Sequence, residues 1–289
     1  MATSLNNLAG LYQAQGKYAA AEPLYQRALA ILEEEGPEHP DVATSLNNLA
    51  GLYQAQGRYA ETESLVQRSL AILEKALGRE HPHVATSLNN LAGLYYNRGR
   101  YAEAEALYQR SLAIREKILG PEHPALAGSL NNLATLYHNQ GKYAEAEPLY
   151  QRSLAIRERA LGLEHPDVAG SLNNLAELYR AQGKYAEAEP LYQRSLAVRE
   201  RALGRELPDV AATVNNLALL YHAQGKYAEA DPLYRRAVGI LEKALGPEHT
   251  NVAKALENYA ILLRKTGRPS EAAQMETRAE AIRAKQKPA

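Results

Sequence analysis

The segment Leu172-Asn173-Asn174-Leu175-Ala176 is followed by Gly183-Lys184-Tyr185-Ala186-Glu187-Ala188-Glu189-Pro190-Leu191-Tyr192, and close copies of both segments fill the 289-residue chain. The asparagine pair recurs after 41 residues once and after 42 residues five times, at Asn6-Asn7, Asn47-Asn48, Asn89-Asn90, Asn131-Asn132, Asn173-Asn174, Asn215-Asn216 and, as Glu257-Asn258, in the last copy. A fixed period of this size indicates a repeat architecture. The sequence therefore predicts one solenoid domain, residues 1–289, with repeats at 2–42, 43–84, 85–126, 127–168, 169–210, 211–252 and 253–289.

Each copy predicts two helices and no strand. In the fourth copy, Leu133 and Tyr137 belong to an apolar stripe at helical spacing that continues to residue 140. Gly141 ends this first helix, since glycine readily takes the left-handed conformation found at helix ends. A second helix is predicted from about Tyr143 to Leu161, and Gly162 ends it. One such hairpin cannot bury its apolar face alone, so stacked copies must share a continuous core.

The link between copies predicts how each first helix begins. In the fifth copy, Pro166 suits the first turn of a helix and Asp167 suits its N-cap. The same cap is expected at Asp41, Asp209 and Asn251.

The repeat resembles a known family. Ala134, the Gly141-Lys142-Tyr143 turn, Ala146, Tyr150 and Ser153 together resemble the tetratricopeptide repeat, whose usual unit is about 34 residues. The longer unit here is similar to the repeats of kinesin light chains and to arrays in bacterial signalling proteins. The resemblance implies an all-α, right-handed superhelical solenoid of seven helix-turn-helix repeats, in which the first helices form a concave groove. Kinesin light chains use that groove to bind extended peptide segments.

The resemblance also implies site residues. In related peptide-clamping arrays, an asparagine at the position of Asn132 bonds the main chain of the peptide. By that match the groove candidates are Asn7, Asn48, Asn90, Asn132, Asn174, Asn216 and Asn258.

A helical wheel places further residues beside these asparagines. With Thr135 as reference and about 100° per residue, Asn131 and His138 lie within about 60° of it, on the face opposite Leu133. The groove candidates therefore include Asn89, Asn131, Asn173, Tyr96, Asn97, His138, Asn139, Arg180 and His222. Two interpretations of the asparagines stay open: hydrogen bonds between neighbouring repeats, or contact with a ligand through an amide that both donates and accepts. For the second asparagine of each pair, the resemblance favours ligand contact.

The middle of this stripe varies along the chain, reading Gly10, Gly51, Gly93, Thr135, Glu177, Leu219 and Ile261. Glycine lets a ligand approach the helix closely, so the N-terminal half is expected to have the deeper floor. The flanking positions become more basic toward the C-terminus, at Arg180, His222 and Arg264. This trend is either drift on a solvated face or a sign that the bound peptide is acidic toward one end.

Composition excludes several classes of function. Formal net charge is zero and the sequence pI is about 7.1, which argues against nucleic-acid binding. There is no cysteine, secretory signal or long apolar run, so we expect a cytoplasmic protein and no membrane contact. His39, His81, His123, His165 and His249 occur once per repeat, too far apart to share one metal ion, and we expect them to order loops. We expect no metal, no cofactor and no enzymatic activity.

The two ends of the sequence differ. The last repeat closes with a polar helix bearing Arg278, Arg283, Lys285 and Lys287, as a terminal cap requires. Met1 joins directly to a standard repeat, which predicts either a longer array or an N-terminal stacking partner or self-association. The favoured function is a scaffold that binds an extended peptide of a partner protein. The alternatives are a sensor arm of a larger signalling protein, and a structural or engineered array without a natural ligand.

Overall fold

The computed structural model describes residues 1–285, and within them the chain folds into helices that alternate with short turns. It divides into two compact units, unit 1 from Met1 to Gly141 and unit 2 from Lys142 onward. The helices of unit 1 are α1 Ala2–Ala14, α2 Tyr18–Glu35, α3 Pro40–Ala55, α4 Tyr59–Leu77, α5 Pro82–Asn97, α6 Tyr101–Leu119 and α7 Leu126–Asn139. Those of unit 2 are α8 Tyr143–Leu161, α9 Pro166–Ala181, α10 Tyr185–Leu203, α11 Pro208–Ala223, α12 Tyr227–Leu245, α13 Thr250–Lys265 and α14 Pro269–Lys285.

Helices that follow one another in the sequence pack together within each unit. In unit 1 the first helix of a repeat also contacts the first helix of a neighbouring repeat, as α5 contacts α7. In unit 2, α11 contacts both α9 and α13 in the same way. The predicted fold, a helix-turn-helix unit repeated along the chain, is thereby confirmed for residues 1–285; the single domain over residues 1–289 stays a prediction.

Glycines end the helices as the sequence predicts. Gly141 follows α7 with φ 73°, and Gly162 follows α8 with φ 84°. Both values lie in the left-handed region, where a side chain is strained. The predicted span of α8, Tyr143 to Leu161, agrees with the structure.

The predicted caps of the first helices are wrong in one respect. The N-cap of α9 is His165, whose Nδ1 accepts a hydrogen bond from the backbone N–H of Asp167 at 3.1 Å. The imidazole reaches the second helical N–H, a donor without an intrahelical partner, so Asp167 lies inside the first turn. The predicted caps Asp41, Asp209 and Asn251 also lie inside the first turn, behind His39, Leu207 and His249. The histidines therefore order the links between repeats, as expected.

The core of each unit lies between its helices. In unit 1 it contains Val42, Leu46, Val84 and Leu88, all fully buried. In unit 2 it contains Val210, Val252, Leu256 and other apolar side chains. Buried serines tie the two helices of a repeat together: Ser69 Oγ donates to the carbonyl of Ala43 at 2.9 Å, and Ser195 Oγ to that of Ala169 at 2.7 Å. Apolar burial and these buried hydrogen bonds together hold each helix pair in one register.

The last helix is polar, as predicted. Arg278 of α14 is ion-paired with Glu242 at 2.5 Å, and Lys285 is ion-paired with Glu248. Lys287 lies outside the described residues. At the other end, Leu8 and Leu11 of α1 are 41% and 55% exposed. The predicted stacking partner on α1 stays a prediction. Among residues 1–285, no helix has the length and apolar composition that crossing a bilayer requires.

Candidate functional site

The asparagine pairs lie on one surface of the first helices, here called the Asn face. It comprises the pairs and the stripe residues that share their side of each first helix. In the third repeat, Leu88 and Leu91 flank the pair and are buried, whereas Asn89 is half-buried and Asn90 is exposed. The wheel therefore orients the pairs correctly.

In unit 1 the Asn face contains a pocket of about 310 Å³. Four predicted site residues share this pocket: Asn89, Asn90, Asn97 and Asn132. Gly51 and Gly93, at the middle of the stripe, also line it. The deeper floor predicted for the N-terminal half stays a prediction. Its other lining residues are Asn47, Ala50, Gln54, Thr62, Val66, Leu94 and Tyr108.

In unit 2 the Asn face contains a pocket of about 480 Å³. Three predicted site residues line it: Arg180, Asn216 and Asn258. Further lining residues are Glu177, Pro208, Ala211, Ala212, Asn215, Leu219, Leu241, Asn251, Lys254 and Ala255. This pocket is thus more apolar and more charged than that of unit 1.

Several asparagines bond to one another between neighbouring repeats. Asn132 Nδ2 donates to Asn89 Oδ1 at 3.2 Å in unit 1. In unit 2, Asn216 donates to Asn173 at 3.1 Å, and Asn258 donates to Asn215 at 3.2 Å. These contacts support the stacking interpretation for those residues. They leave part of each amide available, because a carboxamide offers two donor hydrogens and two acceptor lone pairs.

The N-terminal asparagines depart from this ladder. Asn6 exchanges hydrogen bonds with Ser45 at 3.1 Å, and Asn47 donates to Ser87 at 3.4 Å. Asn7, Asn48 and Asn90 make no side-chain hydrogen bond to any residue within 1–285. Their amides are therefore available to a ligand on the Asn face of unit 1.

The remaining predicted site residues are distributed along the same first helices. Asn139 donates to the hydroxyl of Tyr96. The ring of His222 packs 5.5 Å from that of Tyr227, and burial together with Lys265 lowers the pKa of His222, which keeps it neutral. Asn131, Asn174 and His138 are half-buried on α7 and α9.

The basic trend predicted for the C-terminal half is largely neutralised. Arg180 donates through Nε to Glu177 at 3.0 Å, and Arg264 donates through Nε to Glu276 at 2.7 Å. These hydrogen bonds raise the pKa of both arginines, so each stays charged beside a carboxylate. Lys254, by contrast, is exposed, lines the unit 2 pocket and makes no ion pair within residues 1–285.

Sequence reasoning missed a set of arginines on the second helices. Arg157 donates to Ser171 Oγ at 2.7 Å, and Arg199 donates to Thr213 Oγ1 at 2.6 Å; neither makes an ion pair within the described chain. Burial lowers the pKa of Arg199, as expected for a cation bonded mainly to neutral oxygens. In the sixth repeat this position is Leu241, which lines the unit 2 pocket, so the position reaches the Asn face. One feature of the sequence could have identified these arginines. Their position in the repeat is leucine at Leu32 and Leu73 and changes to arginine at Arg115, Arg157 and Arg199.

No cofactor chemistry is evident on the Asn face. Within residues 1–285, no three side chains of histidine, cysteine, aspartate or glutamate come close enough together to hold a metal ion. What the face offers is hydrogen-bond donors and acceptors over a floor partly made of glycine. That combination suits an extended chain whose own amides need partners.

The comparisons with known proteins agree with the fold. The signature described as "Tetratricopeptide repeat" matches residues 1–75, 41–117, 83–159, 126–201 and 209–285. A crystal structure of a Podosopora anserina protein, described as a kinesin light chain with nearly identical TPR-like repeats, is 34% identical, with a TM-score of 0.62. The match covers 71% of this chain and 97% of that one.

Two further structures share the fold at lower identity. BtubC from P. vanneervenii is 24% identical over 80% of this chain and 94% of its own, with a TM-score of 0.65. Apo RapI is 15% identical over 98% of each chain, with a TM-score of 0.77. No curated protein matches the sequence significantly.

Proposed function

Because the chain belongs to the tetratricopeptide repeat family, whose fold is in general a scaffold for protein–protein interaction, we propose that it binds an extended segment of a partner protein on its Asn face. The observation that carries the proposal is that the pockets of both units are lined by the asparagine pairs. A cytoplasmic location and the lack of enzymatic activity belong to the same proposal.

The magnitudes set what such a ligand must contain. A net hydrogen bond contributes about 0.5–1.5 kcal/mol, whereas micromolar binding needs about 8 kcal/mol after the cost of ordering the ligand. Amide contacts alone are therefore too weak, and side chains of the ligand must fill the pockets. In unit 2, Lys254 lines the pocket and makes no ion pair within the described residues, and the Arg199 guanidinium donates to the neutral oxygens of Asp209 O and Thr213 Oγ1. The proposed segment therefore carries acidic side chains where it meets unit 2.

The test is selection of a displayed library of 12-residue peptides on the full chain and on variants of it. A double variant, with Asn90→Ala and Asn216→Ala, removes two side-chain amides from the Asn face. Gln274→Ala, an exposed carboxamide on α14, is the matched control. The proposal expects enrichment of related extended sequences that the control retains and the double Asn variant loses at unchanged helicity. Equal enrichment on all three proteins would place binding elsewhere.

A further inference from the structure

The pocket of unit 1 exists because one tyrosine of the repeat pattern is missing. At this position of the second helix the first six repeats read Tyr25, Val66, Tyr108, Tyr150, Tyr192 and Tyr234. In the first repeat the Tyr25 hydroxyl reaches the Asn face, where a Cβ on Gly10 would lie 3.5 Å from it. In the second repeat Val66 ends short of the face, and both Val66 and Gly51 line the pocket.

A second feature is the hydroxyl of Tyr108 in the same pocket. Tyr108 is only 5% exposed, and a Cβ on Gly93 would lie 3.5 Å from its oxygen. In two other repeats this hydroxyl is bonded: Tyr25 donates to Gln13 at 2.9 Å, and Tyr192 donates to Glu177 at 2.6 Å. In the sixth repeat the Tyr234 hydroxyl is buried without a partner. In the third repeat the residue matching Gln13 is Tyr96, which accepts from Asn139 instead.

Tyr108 therefore keeps no hydrogen-bond partner within residues 1–285. Because Tyr108 lines the pocket, its hydroxyl is available to donate a hydrogen bond to a ligand group there.

A third feature is a broken rung of the asparagine ladder. By the pattern of Asn132 and Asn89, Asn90 should donate to Asn47, but neither this bond nor any other is made by the Asn90 side chain. Asn47 Oδ1 is buried in the pocket wall and has no donor. The pocket thus presents an unused hydroxyl, an unused amide and an unused acceptor over an apolar base of Val66 and Leu94.

These groups define one ligand chemistry. None of the residues lining the pocket is charged, so a carboxylate or an ammonium group would lose its hydration without a counter-ion. A carboxamide supplies an oxygen for the Tyr108 hydroxyl and an NH₂ group for Asn47 or Asn90. We propose that this pocket takes an asparagine or glutamine side chain of the partner segment, as a specificity site of unit 1. The inference rests on the proposed function and names one residue class in its ligand.

Three peptide sublibraries test it, each with random flanks and a fixed central Gln, Glu or Met. All three share the main-chain amides, so a preference for Gln reports the side chain. Each sublibrary is panned on the wild-type chain and on Val66→Tyr, which fills the pocket with the residue found at this position in five other repeats. Tyr108→Phe removes only the hydroxyl, and Tyr192→Phe removes a hydroxyl outside this pocket.

We expect about threefold to tenfold enrichment of Gln over Met, a larger factor over Glu, and loss of the preference in Val66→Tyr and Tyr108→Phe but not in Tyr192→Phe. Peptides that bind the wild type regardless of the central residue would overturn this inference and leave the proposed function intact. If no sublibrary binds, the proposed function fails. Titration with propionamide, a small carboxamide, then tests whether the pocket binds this group. Side-chain NMR shifts at Asn47 and Asn90 that Val66→Tyr abolishes would support a carboxamide site, and unchanged shifts would exclude it.

Discussion

Asn132 donates its side-chain amide to Asn89 Oδ1 at 3.2 Å across 43 residues of sequence. The two residues lie on α7 and α5, the first helices of neighbouring repeats in unit 1. The same relationship joins Asn216 to Asn173 in unit 2. An amide ladder of this kind fixes the register of neighbouring first helices, and it leaves amide capacity on the face for a ligand.

The ladder predicts different effects for two neighbouring asparagines. Asn132→Ala removes a hydrogen bond and leaves Asn89 Oδ1 without its donor, so we expect it to lower the free energy of unfolding by about 0.5–1.5 kcal/mol. Asn90→Ala removes no bond and introduces a better helix former, so we expect no loss and a gain of up to about 0.7 kcal/mol. Urea denaturation of both variants measures the difference. Equal destabilisation would mean that Asn90 is bonded in solution.

Sequence reasoning could predict the direction of these asparagines but not their partners. A helical wheel gives the angle of Asn132 from its own helix alone. Its bond to Asn89 depends on how closely α5 and α7 approach, which is set by the packing of buried residues such as Leu88 and Leu91. The helix ends were predictable, because Gly141 and Gly162 occupy backbone conformations that disfavour other residues.

The histidine N-caps predict one substitution that destabilises the fold and one that stabilises it. His165→Leu removes the acceptor for the backbone N–H of Asp167, and we expect it to cost about 1 kcal/mol. Leu207 is the N-cap residue of α11, and its side chain cannot accept a hydrogen bond from the helix. Leu207→His should therefore stabilise unit 2 by a similar amount. Thermal unfolding of both variants checks the two signs. A destabilised Leu207→His protein would show that the link before α11 cannot adopt the capped geometry.

A carboxylate between repeats predicts acid sensitivity. Arg58 donates to Glu22 at 2.8 Å and stacks 3.7 Å above the ring of Tyr53, which also donates to Glu22. The hydrogen bond from Arg58 lowers the pKa of Glu22 below its ordinary 4.5. Because the pKa of Glu22 is lower in the folded chain, the ionised carboxylate contributes to the free energy of unfolding. This contribution is complete above pH 4.5 and is lost as the pH falls through the folded pKa.

We therefore expect Glu22→Gln to destabilise the chain at pH 7 and to differ little from wild type near pH 3. Denaturation midpoints at the two pH values provide the comparison. A deficit that persists unchanged in acid would assign the effect to packing.

The second helices contribute to the site in ways the repeat pattern conceals. Arg199 and Val66 lie on second helices, at positions where the repeat pattern predicts packing between helices. Whether such a side chain reaches the Asn face depends on how far it extends between two neighbouring first helices. The repeat period and the angle on a helical wheel give no information about how far a side chain extends between the first helices. In sequence these residues appear only as changes along the repeats, Val66 among tyrosines and arginine at Arg115, Arg157 and Arg199 where Leu32, Leu73 and Leu241 have leucine.

The unpaired arginines predict charge selectivity in unit 2. Arg199→Leu introduces the residue that Leu241 provides in the next repeat, so the fold should be retained. We expect it to weaken binding of acidic peptides about threefold to tenfold and to reduce the salt dependence of binding. Arg194→Leu removes the same charge from a residue already paired with Glu158 at 2.7 Å, and should leave affinity unchanged. Fluorescence polarisation at two salt concentrations compares them, and equal losses would indicate a general charge effect.

The central claim is that the Asn face is where the partner binds. Photo-crosslinking tests it most directly: peptides enriched on the full chain carry a benzophenone group, and mass spectrometry locates the attachment points. We expect attachment on the first helices, at residues lining the pockets around Asn90 and Asn216. Attachment concentrated on the outer surfaces of the second helices, such as α10 or α14, would contradict it.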